Sequence, residues 1–355
     1  MSVFVIIYLA MSFPVVFSRQ KQRQPTIGQQ GIIFLSVRKN ERFSKKMRKE
    51  IELAIIGAGI AGVAASVYAK RSGLEFSIFE AKGVGGQLLL MEGIDNYIGL
   101  ETGTKGRELA KNLIKTLKDL EIDITNQEIL KVELEEKKII LYTTECVYSA
   151  EGAIIATGAN FAKLGFKGEA EFLGKGISYC AVCDGFFFKG RDVVVVGGGN
   201  TAVEEALYLA DIADKVTLIH RRDQLRAMEY LKKKLLAKDN IEVIFDSIVK
   251  EVKGSNLLKE VVIESTKNGK SQTLATAGLF VAIGIKPNTE IFKSIISQEK
   301  GFIVSDEEMR SSVDFIWACG DCRQRPLKQL ITAAAEGAIA ALSAYKYLKG
   351  HYISV

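Results

Sequence analysis

Two cysteines separated by two residues are the strongest chemical signal in the chain. Cys180 and Cys183 form a C-x-x-C pair, and Asp184 follows directly. This spacing lowers the pKa of one thiol and lets the pair close a small disulfide that exchanges with a partner's disulfide. Asp184 can supply or take a proton as a thiolate forms and leaves, although Asp184-Gly185 is also a turn signal. The pair therefore predicts thiol–disulfide redox chemistry.

A second pair, Cys319 and Cys322, makes zinc the competing interpretation of these four cysteines. The two knuckles of a zinc ribbon usually lie about 15–20 residues apart, whereas Cys183 and Cys319 stand 136 positions apart. The two histidines, His220 and His351, lie far from both pairs in the sequence. We therefore expect no metal. We expect Cys319 and Cys322 to be structural thiols rather than a second redox pair, because free cysteines are often simply buried.

A dinucleotide-binding pattern precedes the cysteines. Residues 52–56 predict a strand, residues 57–62 are G-x-G-x-x-G, and a helix to about residue 71 and a strand at 76–80 follow. Glycines at these positions let the backbone approach a pyrophosphate at the helix N-terminus. Glu80 stands 21 positions after Gly59, where an acid accepts hydrogen bonds from a ribose diol. The pattern predicts a nucleotide whose adenosine ribose is not phosphorylated.

The same pattern recurs after the first C-x-x-C pair. Residues 193–196 predict a strand, 197–202 a glycine turn, and a helix to about 212 and a strand at 215–220 follow. The spacing that placed Glu80 now places His220, with Arg221, Arg222 and Arg226 close behind. An acid would repel a 2′-phosphate, whereas an arginine pair can clamp it. The second site is therefore predicted to prefer NADPH.

The chemistry assigns one cofactor to each pattern. A nicotinamide donates hydride, whereas a disulfide must be split into two thiolates. A flavin can accept the hydride and then attack sulfur, so it is the natural intermediary. The sequence thus predicts FAD at the first glycine turn and NADPH at the second.

The composition argues against several other classes of protein. The chain has 355 residues, of which 48% are hydrophobic and 25% charged, which is typical of about two globular domains and argues against a membrane protein. Residues 1–46 contain eight basic residues and one acid, so the formal charge of +6 becomes −1 without them. Nucleic-acid binding thereby loses its main support. We expect residues 1–46 to be a leader or the product of a misassigned start, with Met47 as the true first residue.

Together the motifs resemble the low-molecular-weight thioredoxin reductases of bacteria and archaea over residues 47–350. The matching segments are GAGIAG at 57–62, GGQL at 85–88, IIATGA at 154–159, CAVCDG at 180–185, GGGNTAVEEA at 197–206, HRRDQLRA at 220–227, GIKPNT at 284–289 and ACGD at 318–321. The resemblance implies an α/β fold of two Rossmann-like, three-layer ββα dinucleotide-binding domains, the second inserted in the first. It places the FAD domain at 47–160 and 288–355 and the NADPH domain at 161–287. It also implies a cytoplasmic homodimer.

The resemblance further implies NADPH-dependent thioredoxin-disulfide reduction. Reducing equivalents would pass from NADPH through FAD and the Cys180–Cys183 disulfide to thioredoxin or a similar small dithiol protein. Cys183 would face the flavin, Cys180 would attack thioredoxin, and Asp184 would be the general acid. The NADPH domain would swing about connections near 160 and 287. The implied NADPH ligands are Gly199, Asn200, Thr201, Ala202, His220, Arg221, Arg222 and Arg226. The implied FAD ligands are Gly57, Ala58, Gly59, Ala61, Gly62, Glu80, Gly85, Gly86, Gln87, Leu88, Asn96, Thr157, Gly158, Ala159, Gly320, Asp321, Lys328, Gln329 and Leu330.

Three features depart from the family pattern, one of them being Cys322, which follows Asp321 where a hydrophobic residue is more usual. The usual Asn-Tyr-Pro-Gly appears here as residues 96–99 without proline, and Lys328-Gln329 replaces an Arg-Gln pair. Lysine offers one cationic donor in place of a planar fork.

Related families fit the sequence less well. Ferredoxin-driven relatives lack the HRR cluster, and peroxide-linked and high-molecular-weight relatives need further domains. A flavin-binding sensor without turnover is the alternative from another class. A glutaredoxin-like or other small dithiol protein remains an alternative partner.

Overall fold

The first part of the chain forms a sheet around a central parallel strand. The structure is a computed structural model that describes residues 47–91 and 93–350, and the expectations for residues 1–46 lie outside that range. The elements are β1 (Arg48–Ile56), α1 (Ile60–Arg71), β2 (Phe76–Phe79), α2 (Gly106–Asp119), β3 (Ile124–Thr125), β4 (Lys131–Glu135), β5 (Lys138–Tyr142), β6 (Val147–Ile155) and β7 (Ala159–Phe161). The strand order is β3-β2-β1-β6-β5-β4, and β1 runs parallel to both β2 and β6.

The middle of the chain forms a second parallel sheet and a separate antiparallel one. The elements are β8 (Ile177–Ser178), α3 (Ala181–Asp184), β9 (Asp192–Gly197), α4 (Asn200–Ala210), β10 (Lys215–Ile219), α5 (Glu229–Leu236), β11 (Ile241–Ile244), β12 (Ser247–Gly254), β13 (Leu258–Ser265), β14 (Ser271–Ala275), β15 (Gly278–Ala282) and β16 (Ile285–Pro287). The parallel sheet has the order β11-β10-β9-β15-β8, and β12, β13 and β14 form the antiparallel sheet. Strand β16 pairs with β7, so the connections into and out of this part lie side by side.

The last part of the chain returns to the first sheet. Its elements are β17 (Gln298–Glu299), β18 (Phe302–Ile303), β19 (Ile316–Ala318) and α6 (Leu330–Lys349). Strand β19 runs parallel to β6, with Ile316 opposite Ala153. Helix α6 lies so close to α1 that a Cβ at Gly337 would fall 2.1 Å from the Ala61 carbonyl oxygen. The small residues of both helices therefore set how closely they approach.

Apolar side chains cover both faces of each parallel sheet. In β9, Val193 and Val195 pack against one core cluster, while Val194 and Val196 pack against another. Strands covered on both faces are continuously apolar instead of alternating, which explains the run of four valines. The first sheet likewise lies between two clusters. None of the helices within residues 47–91 and 93–350 is both long enough and apolar enough to cross a bilayer.

Candidate functional site

The first glycine turn leaves space where a phosphate would approach. Gly57 has φ +107°, and a Cβ there would lie 2.5 Å from the Ala156 carbonyl oxygen. A Cβ at Gly62 would fall 1.8 Å from the Gly57 oxygen, whereas one at Gly59 would have nothing within 4 Å. Gly59 is the N-cap of α1 and provides no side-chain cap, so the first amides of that helix are available to an anion.

Backbone hydrogen bonds bring the neighbouring segments onto this turn. Glu80 accepts hydrogen bonds from the Ala58 amide at 2.8 Å and from the Lys82 amide at 2.7 Å. The Gly85 amide donates to the Ala58 carbonyl at 2.9 Å, which places the short 3₁₀ segment Gly86–Leu90 beside the turn. Gln87 then donates to the Ala159 carbonyl. These contacts bring the GGQL segment, the start of β7 and the first turn together.

A buried ion-pair cluster supports the turn that contains Asp321. Glu336 accepts the Gly320 amide at 2.8 Å and pairs with Arg323 at 2.9 Å. Arg325, whose side chain is only 4% exposed, pairs with Asp321 at 2.5 Å. The Nη1 atom of Arg325 lies 3.1 Å from Glu336 but is not aligned for a hydrogen bond. The Nε atoms of Arg323 and Arg325 also lack hydrogen-bond partners, so the cluster retains buried donors.

Lys328 lies at the edge of this cluster. Its ammonium group sits 4.2 Å from the centre of the Phe302 ring and donates to the Arg323 carbonyl at 3.0 Å. Burial lowers the pKa of Lys328. The open glycine turn, the uncapped helix and the spare guanidinium donors all suit an anionic dinucleotide, so the residues present fit FAD.

The disulfide docks against the start of α6. Cys180 and Cys183 are bonded to each other, with their Cα atoms 5.3 Å apart, and flank the start of the short helix α3. The Nε2 atom of Gln329 lies 3.5 Å from the Cys183 sulfur and 4.0 Å from the Cys180 sulfur. Asn96 donates to the Gln329 side-chain oxygen at 3.0 Å, which turns the amide nitrogen toward the sulfurs. The redox pair is therefore held against residues expected to bind FAD.

Asp184 closes α3 and is hydrogen bonded through its carboxylate. The Ser178 hydroxyl donates to Asp184 Oδ2 at 2.5 Å. Burial raises the pKa of Asp184 above its usual range, the hydrogen bond from Ser178 opposes that rise, and the charge of Asp95 adds to it. A carboxyl group whose pKa is raised next to a disulfide is suited to general-acid catalysis.

The second glycine turn has the same open and uncapped geometry as the first. A Cβ at Gly199 would have nothing within 4 Å, and Gly199 is the N-cap of α4 without a side-chain cap. The Arg226 amide donates to the Gly198 carbonyl at 2.6 Å, which brings the arginine loop to the turn. Arg221 and Arg222 are exposed beside it. The exposed guanidinium groups and the open helix start fit the 2′-phosphate and pyrophosphate of NADPH.

His220 differs from the arginines that follow it. Its ring is 4% exposed and lies directly under the turn, where a Cβ at Gly198 would come within 2.2 Å of it. Burial, together with the charge of Arg226, lowers the pKa of His220. A buried imidazole with a lowered pKa supports the turn by packing.

Asn288 links the two connections between the parallel sheets. Its amide donates to the Gly158 carbonyl at 3.0 Å, and its side chain donates to the Thr157 carbonyl at 2.9 Å. The Thr157 hydroxyl and the Asn160 amide donate back to it. The two crossing strands are therefore joined at one point, which is where the sequence predicts a hinge.

The second cysteine pair is fully buried. Cys319 and Cys322 are free thiols with no exposed surface, and the Cys322 thiol donates to the Ile155 carbonyl at 3.3 Å. Burial raises the pKa of Cys322 to about 11 and raises the pKa of Cys319 well above its ordinary value. In the described part of the chain, no group of three or more histidines, cysteines and carboxylates is placed to hold a metal ion.

Four residues at the site were not predicted from the sequence. Ser178 contacts Asp184, and Glu205 contacts the start of α3. Arg325 contacts Asp321, and Glu336 contacts the turn at Gly320. Ser178 stands two positions before Cys180, a proximity that could have singled it out. Glu205 lies within the GGGNTAVEEA segment but resembles an ordinary helical residue. Arg325 and Glu336 carry no local signal, because their pairing spans a turn and a helix.

Comparison with known proteins agrees with this geometry. The family model described as pyridine nucleotide-disulphide oxidoreductase matches residues 51–337. A thioredoxin reductase of Treponema pallidum (strain Nichols) is 38% identical over 302 residues, which cover 85% of this chain and 98% of that protein. The crystal structure of thioredoxin reductase from Streptococcus pyogenes MGAS5005 is 41% identical and superposes with a TM-score of 0.82, covering 85% of this chain and 99% of that one.

A further solved structure superposes less well on this chain despite similar sequence identity. Thioredoxin reductase from Lactococcus lactis, described as the FR conformation, is 37% identical and covers 85% of this chain and 100% of that one, yet its TM-score is 0.57. The site and the matches together define the class: this chain belongs to the pyridine nucleotide-disulphide oxidoreductase family. They confirm the expected resemblance to thioredoxin reductases, the fold class of two Rossmann-like domains, an oxidoreductase function based on the Cys180–Cys183 pair, and FAD and NADPH as cofactors.

Proposed function

We propose that this chain is an NADPH-dependent thioredoxin-disulfide reductase. The observation that carries the proposal is the position of the Cys180–Cys183 disulfide, which lies against Gln329 at the edge of the predicted FAD site. Bound FAD would accept hydride from NADPH and pass two electrons to the disulfide. The relatives named thioredoxin reductases support oxidised thioredoxin as the substrate.

The glycine turn and the Asp321 turn would hold FAD. The amides after Gly59 would bind the pyrophosphate, and Glu80 would accept hydrogen bonds from the ribose. Asp321 and Lys328 would orient the far end of the cofactor. The other FAD ligands would be Gly57, Ala58, Ala61, Gly62, Gly85, Gly86, Gln87, Leu88, Asn96, Thr157, Gly158, Ala159, Gly320, Gln329 and Leu330.

The second glycine turn would hold NADPH. The amides after Gly199 would bind the pyrophosphate, and Arg221 and Arg222 would bind the 2′-phosphate. His220 would contribute by supporting the turn from below. The remaining ligands would be Asn200, Thr201, Ala202 and Arg226.

Helix α3, the redox helix, would carry the chemistry on sulfur. Cys183 would face the cofactor, and Cys180 would attack the disulfide of thioredoxin. Asp184, close to both cysteines and with its pKa raised by burial, would give a proton to a departing sulfur. For its reduction, the Cys180–Cys183 disulfide must lie against the bound cofactor. For exchange with a protein partner, the same two cysteines must be exposed to solvent.

That requirement supports a two-position mechanism. The FAD domain would comprise 47–160 and 288–355, the NADPH domain would comprise 161–287, and the junction at Asn288 would be the hinge. The lower TM-score of the Lactococcus lactis structure, at similar identity, supports a family in which these parts adopt more than one arrangement. The resemblance also supports a homodimer in the cytoplasm, for which light scattering and cell fractionation are direct tests.

Two sequential additions test the function. Anaerobic NADPH should bleach the yellow FAD-loaded protein, and oxidised thioredoxin should restore the colour over repeated cycles. A Cys183→Ser variant should still bleach but should not reduce thioredoxin. Bleaching of the unaltered protein without any thioredoxin reduction would contradict the proposal and favour a flavin-binding sensor.

A further inference from the structure

The hydroxyl of Ser178 meets both ends of the redox helix. Ser178 is the last residue of β8 and is only 4% exposed. Its hydroxyl accepts a hydrogen bond from the Cys180 amide at 3.0 Å and donates to Asp184 Oδ2 at 2.5 Å. The Cys180 carbonyl, at 3.3 Å, is a second acceptor within reach. One buried hydroxyl therefore connects the backbone of the first cysteine to the expected general acid.

The hydrogen-bond geometry decides which acceptor takes the serine proton. A serine hydroxyl has one donor and two acceptor positions. The Cys180 carbonyl already accepts the amides of Cys183 at 3.2 Å and Asp184 at 3.1 Å. The carboxylate of Asp184 is nearer and charged, and hydrogen bonds to charged acceptors are the stronger ones. Ser178 therefore donates to Asp184 when Asp184 is ionised.

The same hydroxyl can also serve the protonated form of Asp184. A carboxylic acid has its own O–H donor, which can point to the free lone pair of Ser178 Oγ. The serine proton then turns to the Cys180 carbonyl. An alanine at this position could serve neither form, whereas a threonine could serve both.

The other charged groups near Asp184 do not replace Ser178. Asp95 acts from the loop between the 3₁₀ segment Gly86–Leu90 and α2, and it opposes ionisation of Asp184. Glu205 approaches α3 from α4 and is bonded to the Ala181 amide. Within residues 47–91 and 93–350, Ser178 is the side chain that donates a hydrogen bond to Asp184.

We propose that Ser178 is a positioning residue that holds Asp184 beside the cysteine pair and hydrogen bonds to it in both protonation states. The inference rests on the proposed function. Two electrons that derive from NADPH cleave the Cys180–Cys183 bond and leave two thiolates. Asp184 gives its proton to one thiolate, becomes a carboxylate that Ser178 stabilises, and regains a proton from water.

The test compares Ser178→Ala with Ser178→Thr in the FAD-loaded protein. The rate of thioredoxin reduction is measured across pH, and the rate of flavin bleaching by NADPH is measured separately. Ser178→Ala should slow thioredoxin reduction by at least about tenfold and move the Asp184-dependent limb of the pH profile upward by about one pH unit. Bleaching by NADPH should stay within about threefold, and Ser178→Thr should recover most of the lost rate.

A buried serine elsewhere provides the matched control. Ser247 in β12 is 6% exposed and donates to the Phe245 carbonyl at 2.9 Å. Ser247→Ala should leave the pH profile unchanged. A Ser178→Ala protein with the original rate and profile would overturn the proposal, and so would a Ser178→Thr protein as defective as Ser178→Ala. If the unaltered protein bleaches but does not reduce thioredoxin, the proposed function fails instead.

Discussion

Glu205 makes the stability of this protein depend on pH in an unusual direction. The side chain is partly buried under α3, where its carboxylate is bonded to the Ala181 amide while Oε2 is buried without a partner. Burial raises its pKa from 4.5 to about 7, and the Ala181 amide opposes the rise only in part. We predict that replacing Glu205 with glutamine stabilises the protein above neutral pH.

The magnitude follows from linkage between protonation and folding. At pH values below about 4.5 the carboxyl is neutral in both states and costs nothing. As pH rises toward 7 the unfolded chain releases the proton first, so the folded state loses stability. Each pH unit between the two pKa values is worth about 1.4 kcal/mol, which gives a total of about 3 kcal/mol. Between about pH 5 and about pH 8, the free energy of unfolding should fall by about 2.5 kcal/mol on this account.

Urea unfolding of matched variants measures this difference. Glu205→Gln keeps the shape and an acceptor for the Ala181 amide but cannot ionise. The exposed neighbour Glu204→Gln removes the same charge from the same helix without a buried carboxylate. Circular dichroism should follow both halves of the molecule, while Trp317, the only tryptophan in the sequence and fully buried, should report on the first sheet.

The expected result is divergence of the curves with pH. Glu205→Gln should be more stable than the unaltered protein by at most about 1 kcal/mol near pH 5 and by about 3 kcal/mol near pH 8. Glu204→Gln should follow the unaltered protein throughout. Parallel curves for the protein and its Glu205→Gln variant would refute the reasoning, because they would mean that this carboxyl ionises equally easily in both states.

Three further predictions concern the cofactors and sulfurs. The Arg221→Ala, Arg222→Ala double variant should raise the KM for NADPH by about 10–100-fold and leave that for NADH within about threefold; equal losses with both nucleotides would argue against 2′-phosphate binding. Replacing Cys319 and Cys322 with alanine should leave turnover intact, since both are buried thiols; loss of thioredoxin reduction with FAD still bound would reveal a second redox pair. Gln329→Ala should slow reoxidation of reduced flavin by the disulfide in single-turnover measurements, and an unchanged rate would show that its contact with Cys183 is incidental.

The local parts of the fold were predictable because they depend on short-range signals. The two glycine turns follow apolar strands in the sequence, and the structure puts β1 and β9 there. The close contact between Gly62 and Gly57 explains why a small residue is needed. The C-x-x-C spacing predicted the redox pair, and the resemblance to thioredoxin reductases then implied a separate role for each cysteine.

The supporting residues could not be predicted because they pair across turns and helix ends, where no regular spacing links the partners. Glu336 stabilises a turn 16 residues earlier, and Arg325 is buried by elements that no local pattern links. From the sequence alone, charged residues such as these are expected to lie at the surface. For His220 the sequence did give a prediction, because spacing placed it at the position that corresponds to the ribose-binding Glu80. The structure instead buries it under Gly198. Spacing gives the position along the strand but not the direction of the side chain.

The proposed movement would change the chemistry of the redox helix. The docked position depends on long contacts from Gln329 to the two sulfurs, at 3.5 and 4.0 Å, which are weak individually and can be broken. Ser178 and Asp184 belong to the part that would turn with the disulfide, whereas Asp95 belongs to the part that would stay. Asp95 adds to the rise in the pKa of Asp184 in the docked arrangement, and this contribution would end if the helix moved away. Departure from the docked position would therefore favour release of the Asp184 proton at the stage when the cysteine thiolates meet the protein substrate.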